Sequence, residues 1–200
     1  MKIFIIALAL AFALGLPVCA SAQAQEKKII DLPQPNRDGG QPLMSALSAR
    51  RSDRNFKNEA LSEQQTADIL WAAVGVNRPE EGNRRTAPTA MNQQDVYVYL
   101  LNEAGAFQYD ALAHKLELIE SGDKTSLLGA PLGLVFVAPA NNDSAGLNVG
   151  YCSQNVYLHA ASKGLNAVAK GTADRNTLKK TLKLADDQQI VLVHLVGPRP

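Results

Sequence analysis

A run of eight residues without a polar side chain, residues 132–139, places the strongest constraint on how this chain folds. The stretch reads "LGLVFVAP" and includes β-branched and aromatic residues. A strand that is apolar on both of its faces is typical of the centre of a sheet, where neither face meets water. The sequence therefore predicts that residues 132–139 form a buried central strand.

Other periodic segments surround this strand and set the fold class. Ser62 and Gln65 have the spacing of a capping box, which predicts a helix that Gly75 ends. Further helices are predicted at 42–51, 149–163 and 174–184, and further strands at 29–32, 95–102, 106–110, 115–119 and 189–197. Because helices and strands do not alternate regularly, the predicted class is α+β.

The first 22 residues have the pattern of a cleaved secretory signal peptide. Lys2 precedes a long apolar run, and cleavage sites follow at residues 20–22 or 22–24. An uncleaved membrane anchor is the alternative, but the run is short for a span. We therefore expect an exported protein, periplasmic or secreted and free of the membrane, with a polar surface leader (23–41) before a single domain (42–200).

Charge and motifs exclude several classes of function. The chain has 20 basic and 19 acidic residues, a formal net charge of +1, which argues against a general nucleic-acid binder. It contains no H-E-x-x-H, C-x-x-C, G-x-S-x-G, P-loop or G-x-G-x-x-G motif, so we expect no metal site. Cys152 is predicted to be a buried, inert thiol, and His114, His159 and His194 to be structural.

Three stretches carry chemical information, although each has an ordinary alternative. "RRSDRNF", 50–56, gathers guanidinium and hydroxyl donors that suit a phosphate, or forms a solvated basic turn. "RTAPTAMNQQ", 85–94, can present amides to a heterocycle, or is a plain loop. "GLNAVAKGTA", 164–173, has a glycine that permits close approach of a flat ligand, or is another turn.

Taken in order, these stretches resemble the nitroreductase family of FMN-dependent oxidoreductases. The likeness is carried by "RRSDRNF", "LWAAVGVNR" (70–78), "RTAPTAMNQQDVYVYLL" (85–101) and "GYCSQNVYLHAASKGL" (150–165). It extends over about residues 43–197. The subgroup that the chain resembles is the short one similar to azoline dehydrogenases of peptide maturation. Two departures, Asp95 where the family often has proline and the lack of a long helical insertion, leave the substrate open.

The resemblance implies a mixed, mainly antiparallel sheet flanked by helices, and a homodimer that binds FMN at its interface with residues of both chains. It also implies hydride transfer through flavin N5, possible donors being NAD(P)H, to a small nitroaromatic- or quinone-like acceptor. It assigns no catalytic side chain. The residues at cofactor-binding positions are Arg50, Arg51, Ser52, Arg54, Pro88, Thr89, Ala90, Met91, Asn92, Lys170, Gly171 and Arg199.

The export signal leaves two further hypotheses open, because NAD(P)H is scarce outside the cytoplasm. One is an exported flavin- or tetrapyrrole-binding protein without turnover. The other is a structural dimer that kept the fold and lost its ligand.

Overall fold

The computed structural model describes residues 28–200, so the predicted signal peptide lies outside the described residues. The elements in chain order are β1 (Ile29–Asp31), α1 (Leu43–Ala49), α2 (Glu63–Val74), β2 (Val76–Arg78), β3 (Arg84–Arg85), β4 (Tyr97–Leu101), β5 (Gly105–Asp110), β6 (Lys115–Ser121), α3 (Thr125–Leu128), β7 (Leu132–Pro139), α4 (Ala145–Ser162), β8 (Leu165–Lys170), α5 (Arg175–Thr181) and β9 (Gln188–Pro198).

Seven strands form one sheet in the order β1-β6-β5-β4-β7-β9-β8. Each of these pairings is antiparallel. The strands β2 and β3 form a separate antiparallel pair. The predicted α+β class is confirmed, and β7 lies in the middle of the sheet between β4 and β9.

Both faces of β7 are buried, which explains its uninterrupted apolar sequence. Leu134 and Phe136 contribute to a core cluster with residues of α2 and α4. Val135 and Val137 point the other way, into a second cluster with residues of α3 and α5. Since successive side chains of a strand alternate between faces, a strand between two cores must be apolar at every position.

The helix α2 has the ends that the sequence predicts. The Ser62 hydroxyl accepts a hydrogen bond from the Gln65 amide (3.2 Å), and the Gln65 side chain accepts one from the Ser62 amide (2.9 Å). At the other end, a Cβ on Gly75 would overlap the indole of Trp71. The glycine is therefore needed because the chain turns back tightly over Trp71.

The strand β8 was not predicted from the sequence. It lies within residues 164–173, for which a ligand-approach glycine or a turn was considered. Residues 165–168 are buried, and the strand pairs with β9 along its whole length. Its sequence, "LNAVAK", contains two alanines and an asparagine, residues that are not enriched in strands. Tertiary packing therefore decides this strand. Two helix ends also differ from prediction, since α4 begins at Ala145 and α5 ends at Thr181.

The described part of the leader, residues 28–41, is built into the domain. Its strand β1 pairs with β6 at the edge of the sheet. His114 Nε2 donates to the Pro33 carbonyl oxygen (2.9 Å), and the Gln41 amide donates to the Ser162 hydroxyl (2.8 Å). Between residues 28 and 200, no helix has the length and apolar character required to cross a bilayer.

Candidate functional site

The arginine segment, residues 50–56, lies along the edge strand β8. The Asp53 amide donates to the Ala167 carbonyl oxygen (2.9 Å). The Asn166 side chain donates to the Asn55 carbonyl oxygen (2.7 Å). The next residue after the segment, Lys57, bonds through its amide to the Pro198 carbonyl (3.0 Å). These bonds hold the segment beside the strand that carries the predicted Lys170-Gly171 turn.

Side chains of the arginine segment alternate between two environments. The Arg50 guanidinium carbon lies 5.1 Å from the centroid of the Tyr157 ring, and the Ser52 hydroxyl lies 2.8 Å from the Tyr157 hydroxyl. The Arg51 side chain pairs with Asp53, with its Nε 3.3 Å from an oxygen of that carboxylate. Arg54, two residues after Ser52, is exposed and makes no hydrogen bond or ion pair within residues 28–200.

Asp53 is fully engaged on its own side of the segment. One carboxylate oxygen accepts the Asn55 amide (3.0 Å), and the other faces Arg51. The carboxylate therefore pairs with Arg51, and among residues 28–200 Arg50 and Arg54 have no acidic partner. An anion held by this segment would compete with Asp53 for Arg51, whereas within residues 28–200 no carboxylate competes for Arg50 or Arg54.

Tyr157 lies at the centre of this group, and the sequence did not single it out. It belongs to α4, and its hydroxyl accepts a hydrogen bond from the Ala169 amide (2.7 Å). Its ring packs against that of His194 in an inclined arrangement, at a centroid distance of 4.4 Å. Tyr157 occupies an unspecified position of the "GYCSQNVYLHAASKGL" motif, so no spacing signal distinguished it from a packing residue.

His194 supports Tyr157 from the core. It is 0% exposed, and its Nδ1 lies 3.0 Å from the Ser153 hydroxyl. Burial lowers the pKa of His194 from 6.5 to about 3, because the imidazolium form would have to leave water. The residue is therefore neutral at physiological pH, which agrees with its predicted structural role.

The Lys170-Gly171 turn lies next to the arginine segment, because Ala169, which bonds to Tyr157, immediately precedes it. The Lys170 ammonium donates to the Leu128 carbonyl (3.2 Å), so its side chain is already used. A Cβ built on Gly171 meets no atom within 4 Å. The backbone of this turn is therefore open to a ligand.

Arg199 lies at the opposite end of β8 from the Lys170-Gly171 turn. Its Nη2 lies 3.5 Å from the Leu165 carbonyl oxygen. Arg199, Arg51 and Tyr157 line a recess of about 10 Å³, which has room for one water molecule at most. A ligand of nucleotide size would therefore lie on this surface and not inside it.

The loop with Pro88, Thr89, Ala90, Met91 and Asn92 lies elsewhere, over the beginning of α4. The Ala90 amide donates to the Asn148 side chain (2.8 Å), and the Gln94 amide donates to the Thr89 hydroxyl (2.8 Å). Met91 and Asn92 have left-handed backbone conformations, with φ of 52° and 55°. This turn exposes Met91 almost completely (94%).

One chain does not bring this loop to the arginine segment. Asn148 and Tyr157, their anchors on α4, are separated by about nine positions, roughly 13.5 Å along the axis and roughly half a turn around it. Within residues 28–200, no hydrogen bond or ion pair joins residues 88–92 to residues 50–56. The candidate site is thus divided into two parts, on opposite flanks of α4.

Asn148 and Asp95 fix the loop, and only Asp95 was noted from the sequence. Asn148 is 0% exposed, and its amide nitrogen lies 3.4 Å from an oxygen of Asp95. The second oxygen of Asp95 accepts from Asn142 (2.6 Å). Asp95, which stands where the resemblance expects proline, therefore fastens the loop to α4 by hydrogen bonds. Asn148 lies outside the quoted motifs and left no pattern to find.

No acid–base or metal chemistry is evident near these two parts. Cys152 is buried, and burial raises the pKa of its thiol to about 12, so it is inert as predicted. Burial also lowers the pKa of His159. In the part of the chain that the structure describes, no three His, Cys, Asp or Glu side chains are grouped as metal ligands.

Comparison with known proteins agrees with this geometry. The model of the nitroreductase family matches residues 47–198. A protein of Methanocaldococcus jannaschii that is assigned as a nitroreductase is 28% identical over 171 residues, which are 72% of this chain and 85% of that protein.

Solved structures give the same result. A crystal structure of a protein from Ralstonia eutropha JMP134, also assigned as a nitroreductase, superposes with a TM-score of 0.79 and 35% identity over 86% of this chain and 90% of its own. The FMN-dependent nitroreductase of Clostridium difficile R20291 shares the fold, with a TM-score of 0.57 and 16% identity over 78% of this chain and 87% of its own. The chain therefore belongs to the nitroreductase family of oxidoreductases.

Proposed function

We propose that this protein is an FMN-dependent oxidoreductase that passes a hydride through flavin N5 to a small organic acceptor of the nitroaromatic or quinone class. The observation that carries the proposal is the pair of donors at Tyr157, Arg50 and Ser52, together with the neighbouring Arg54; within residues 28–200 neither arginine has an acidic partner. Arg50 stacks on that ring, Ser52 bonds to its hydroxyl, and Arg54 has no partner in the described chain. Narrower membership in the azoline-dehydrogenase-like subgroup remains a prediction.

The arginine segment would hold the cofactor phosphate. Guanidinium groups form charge-assisted hydrogen bonds with phosphate oxygens, and a serine hydroxyl adds a donor of shorter reach. The pairing of Asp53 with Arg51 keeps the only carboxylate of the segment away from that phosphate. Arg199 adds positive charge at the Leu165 end of β8.

The ring of the cofactor would lie against backbone. Gly171 presents open backbone directly after β8. The Asn92 side chain, held in an exposed turn, can supply an amide to the polar edge of the ring. FMN supplies the redox chemistry, and the protein residues bind it, orient it and adjust its surroundings.

A homodimer would join the two parts of the site. Because the arginine segment and residues 88–92 lie on opposite flanks of α4, the partner chain is the natural source of the second part. Apolar surface for such an interface is available on α1, where Leu43 and Met44 are 64% and 74% exposed, and at Met91. A two-fold axis would form two equivalent sites at once.

The test is a titration of the purified mature protein with FMN, with sedimentation to measure its mass. We expect a dimer that binds FMN and whose bound flavin is bleached by NAD(P)H and reoxidised by a quinone. Protein that binds no FMN overturns the proposal. Binding without any turnover supports the alternative of an exported flavin-binding protein. The proposed export is checked separately, by cell fractionation and by sequencing of the mature N-terminus.

A further inference from the structure

We propose that Tyr157 is a positioning residue for the cofactor phosphate: its hydroxyl sets Ser52 as a hydrogen-bond donor, and its ring holds Arg50 nearby. The inference rests on the proposed function, because it concerns how that site is organised. Tyr157 itself need not touch the ligand.

The direction of the hydrogen bonds supports this role. The Ala169 amide can only donate, so the Tyr157 oxygen is the acceptor in their 2.7 Å bond. The phenol hydrogen is then available for the Ser52 oxygen, 2.8 Å away. When Ser52 accepts that hydrogen, its own hydrogen is free to donate to an anion. A chain of bonds from Ala169 through Tyr157 to Ser52 also strengthens each donor in turn.

The ring of Tyr157 acts on Arg50 in a different way. A guanidinium over an aromatic ring is held without being neutralised, whereas a carboxylate partner would cancel its charge. The ring is fixed from behind by His194, at a centroid distance of 4.4 Å and an interplanar angle of 63°. His194 is in turn bonded to Ser153, so the support reaches into the core. Arg50 is thus kept next to Ser52 with its full charge.

The hydroxyl and the ring can be separated by experiment. Tyr157→Phe keeps the ring, its packing on His194 and its contact with Arg50, and removes only the bonds to Ser52 and Ala169. Riboflavin lacks the phosphate of FMN, so it reports on the rest of the site. Tyr97→Phe is the matched control, because Tyr97 is partly exposed on β4 and makes no side-chain hydrogen bond within residues 28–200.

Binding of both flavins is measured by quenching of flavin fluorescence on the mature dimer. We expect Tyr157→Phe to weaken FMN binding about tenfold, as befits a lost donor to a charged group. Riboflavin binding should change by less than about twofold, and Tyr97→Phe should bind both flavins as the wild type does. In a Ser52→Ala background the effect of Tyr157→Phe should largely vanish, because coupled residues are not additive.

Other outcomes would overturn the inference. Unchanged FMN affinity in Tyr157→Phe would show that the Tyr157 hydroxyl does not position Ser52 for phosphate binding. An equal loss for FMN and riboflavin, or a full effect in the Ser52→Ala background, would show a general structural role. If the wild-type protein binds FMN no better than riboflavin, the arginine segment does not bind the phosphate at all. Wild-type protein that binds neither flavin overturns the proposed function, which distinguishes that failure from a failure of Tyr157.

Discussion

Arg51 and Arg54 form a matched pair for testing the proposal that the arginine segment binds the FMN phosphate. Each is an exposed arginine of the same segment, and replacing either with alanine removes one positive charge. They differ in their partners, since Arg51 Nε lies 3.3 Å from Asp53 whereas Arg54 has no ion pair within residues 28–200. We expect Arg54→Ala to weaken FMN binding much more than Arg51→Ala.

The expected magnitudes follow from distance and solvent exposure. Opposite unit charges 4 Å apart attract by about 1 kcal/mol in bulk water and about 4 kcal/mol near a protein surface. For an exposed Arg54 in contact with phosphate we take about 2 kcal/mol, roughly a thirtyfold loss of affinity. Arg51 is largely exposed and already paired with Asp53, so we take about 0.5 kcal/mol for it, roughly a twofold loss.

The assay is calorimetric titration with FMN at low salt and again near 0.15 M salt. The small effect of Arg51→Ala should shrink at the higher salt, because the screening length falls to about 8 Å. The larger effect of Arg54→Ala should persist in part, since direct contacts are screened less. Equal losses of FMN affinity for the two variants, or a larger loss for Arg51→Ala, would refute the reasoning that Arg54 binds the phosphate while Asp53 occupies Arg51.

Two further predictions concern stability. Gly75→Ala should lower the free energy of unfolding by about 1–3 kcal/mol, because the added methyl overlaps Trp71. Gly171→Ala adds a methyl in open space, so we expect it to melt like the wild type but to bind FMN more weakly. A melting curve and an FMN titration of each variant check both expectations. Because burial lowers the pKa of His194 from 6.5 to about 3, its neutral form stabilises the fold fully above pH 6.5, and that stability is lost as the pH falls toward 3. Denaturant unfolding between pH 6.5 and 4 should show a pH slope in the wild type that is steeper, by up to about 1.4 kcal/mol per pH unit, than in His194→Gln.

Several features of the fold could be predicted because they depend only on residues that are close together in the sequence. An apolar run with no polar interruption indicates a strand covered on both faces, and the spacing of Ser62 and Gln65 indicates a helix start. These signals are local, since they depend on the period of the backbone and on hydrogen bonds within one turn. The family resemblance likewise depended on the order of short motifs along the chain, and its family-level part is confirmed.

Only the tertiary structure determined which residues of these motifs come into contact. Ser52 and Tyr157 are 105 positions apart, so no periodicity could pair them. The strand β8 formed because β9 and the buried core accept it, despite residues with weak strand preference.

The arrangement of charge was also decided only by packing. The letters "RRSDRNF" present three equivalent arginines, but in the folded segment Arg51 pairs with Asp53, whereas Arg50 and Arg54 have no ion pair among residues 28–200. The same packing puts residues 88–92 on the far flank of α4. Residue types and their order thus determined which groups are available, and long-range packing determined which of them share a surface, because burial and hydrogen bonding act between positions that the chain itself keeps far apart.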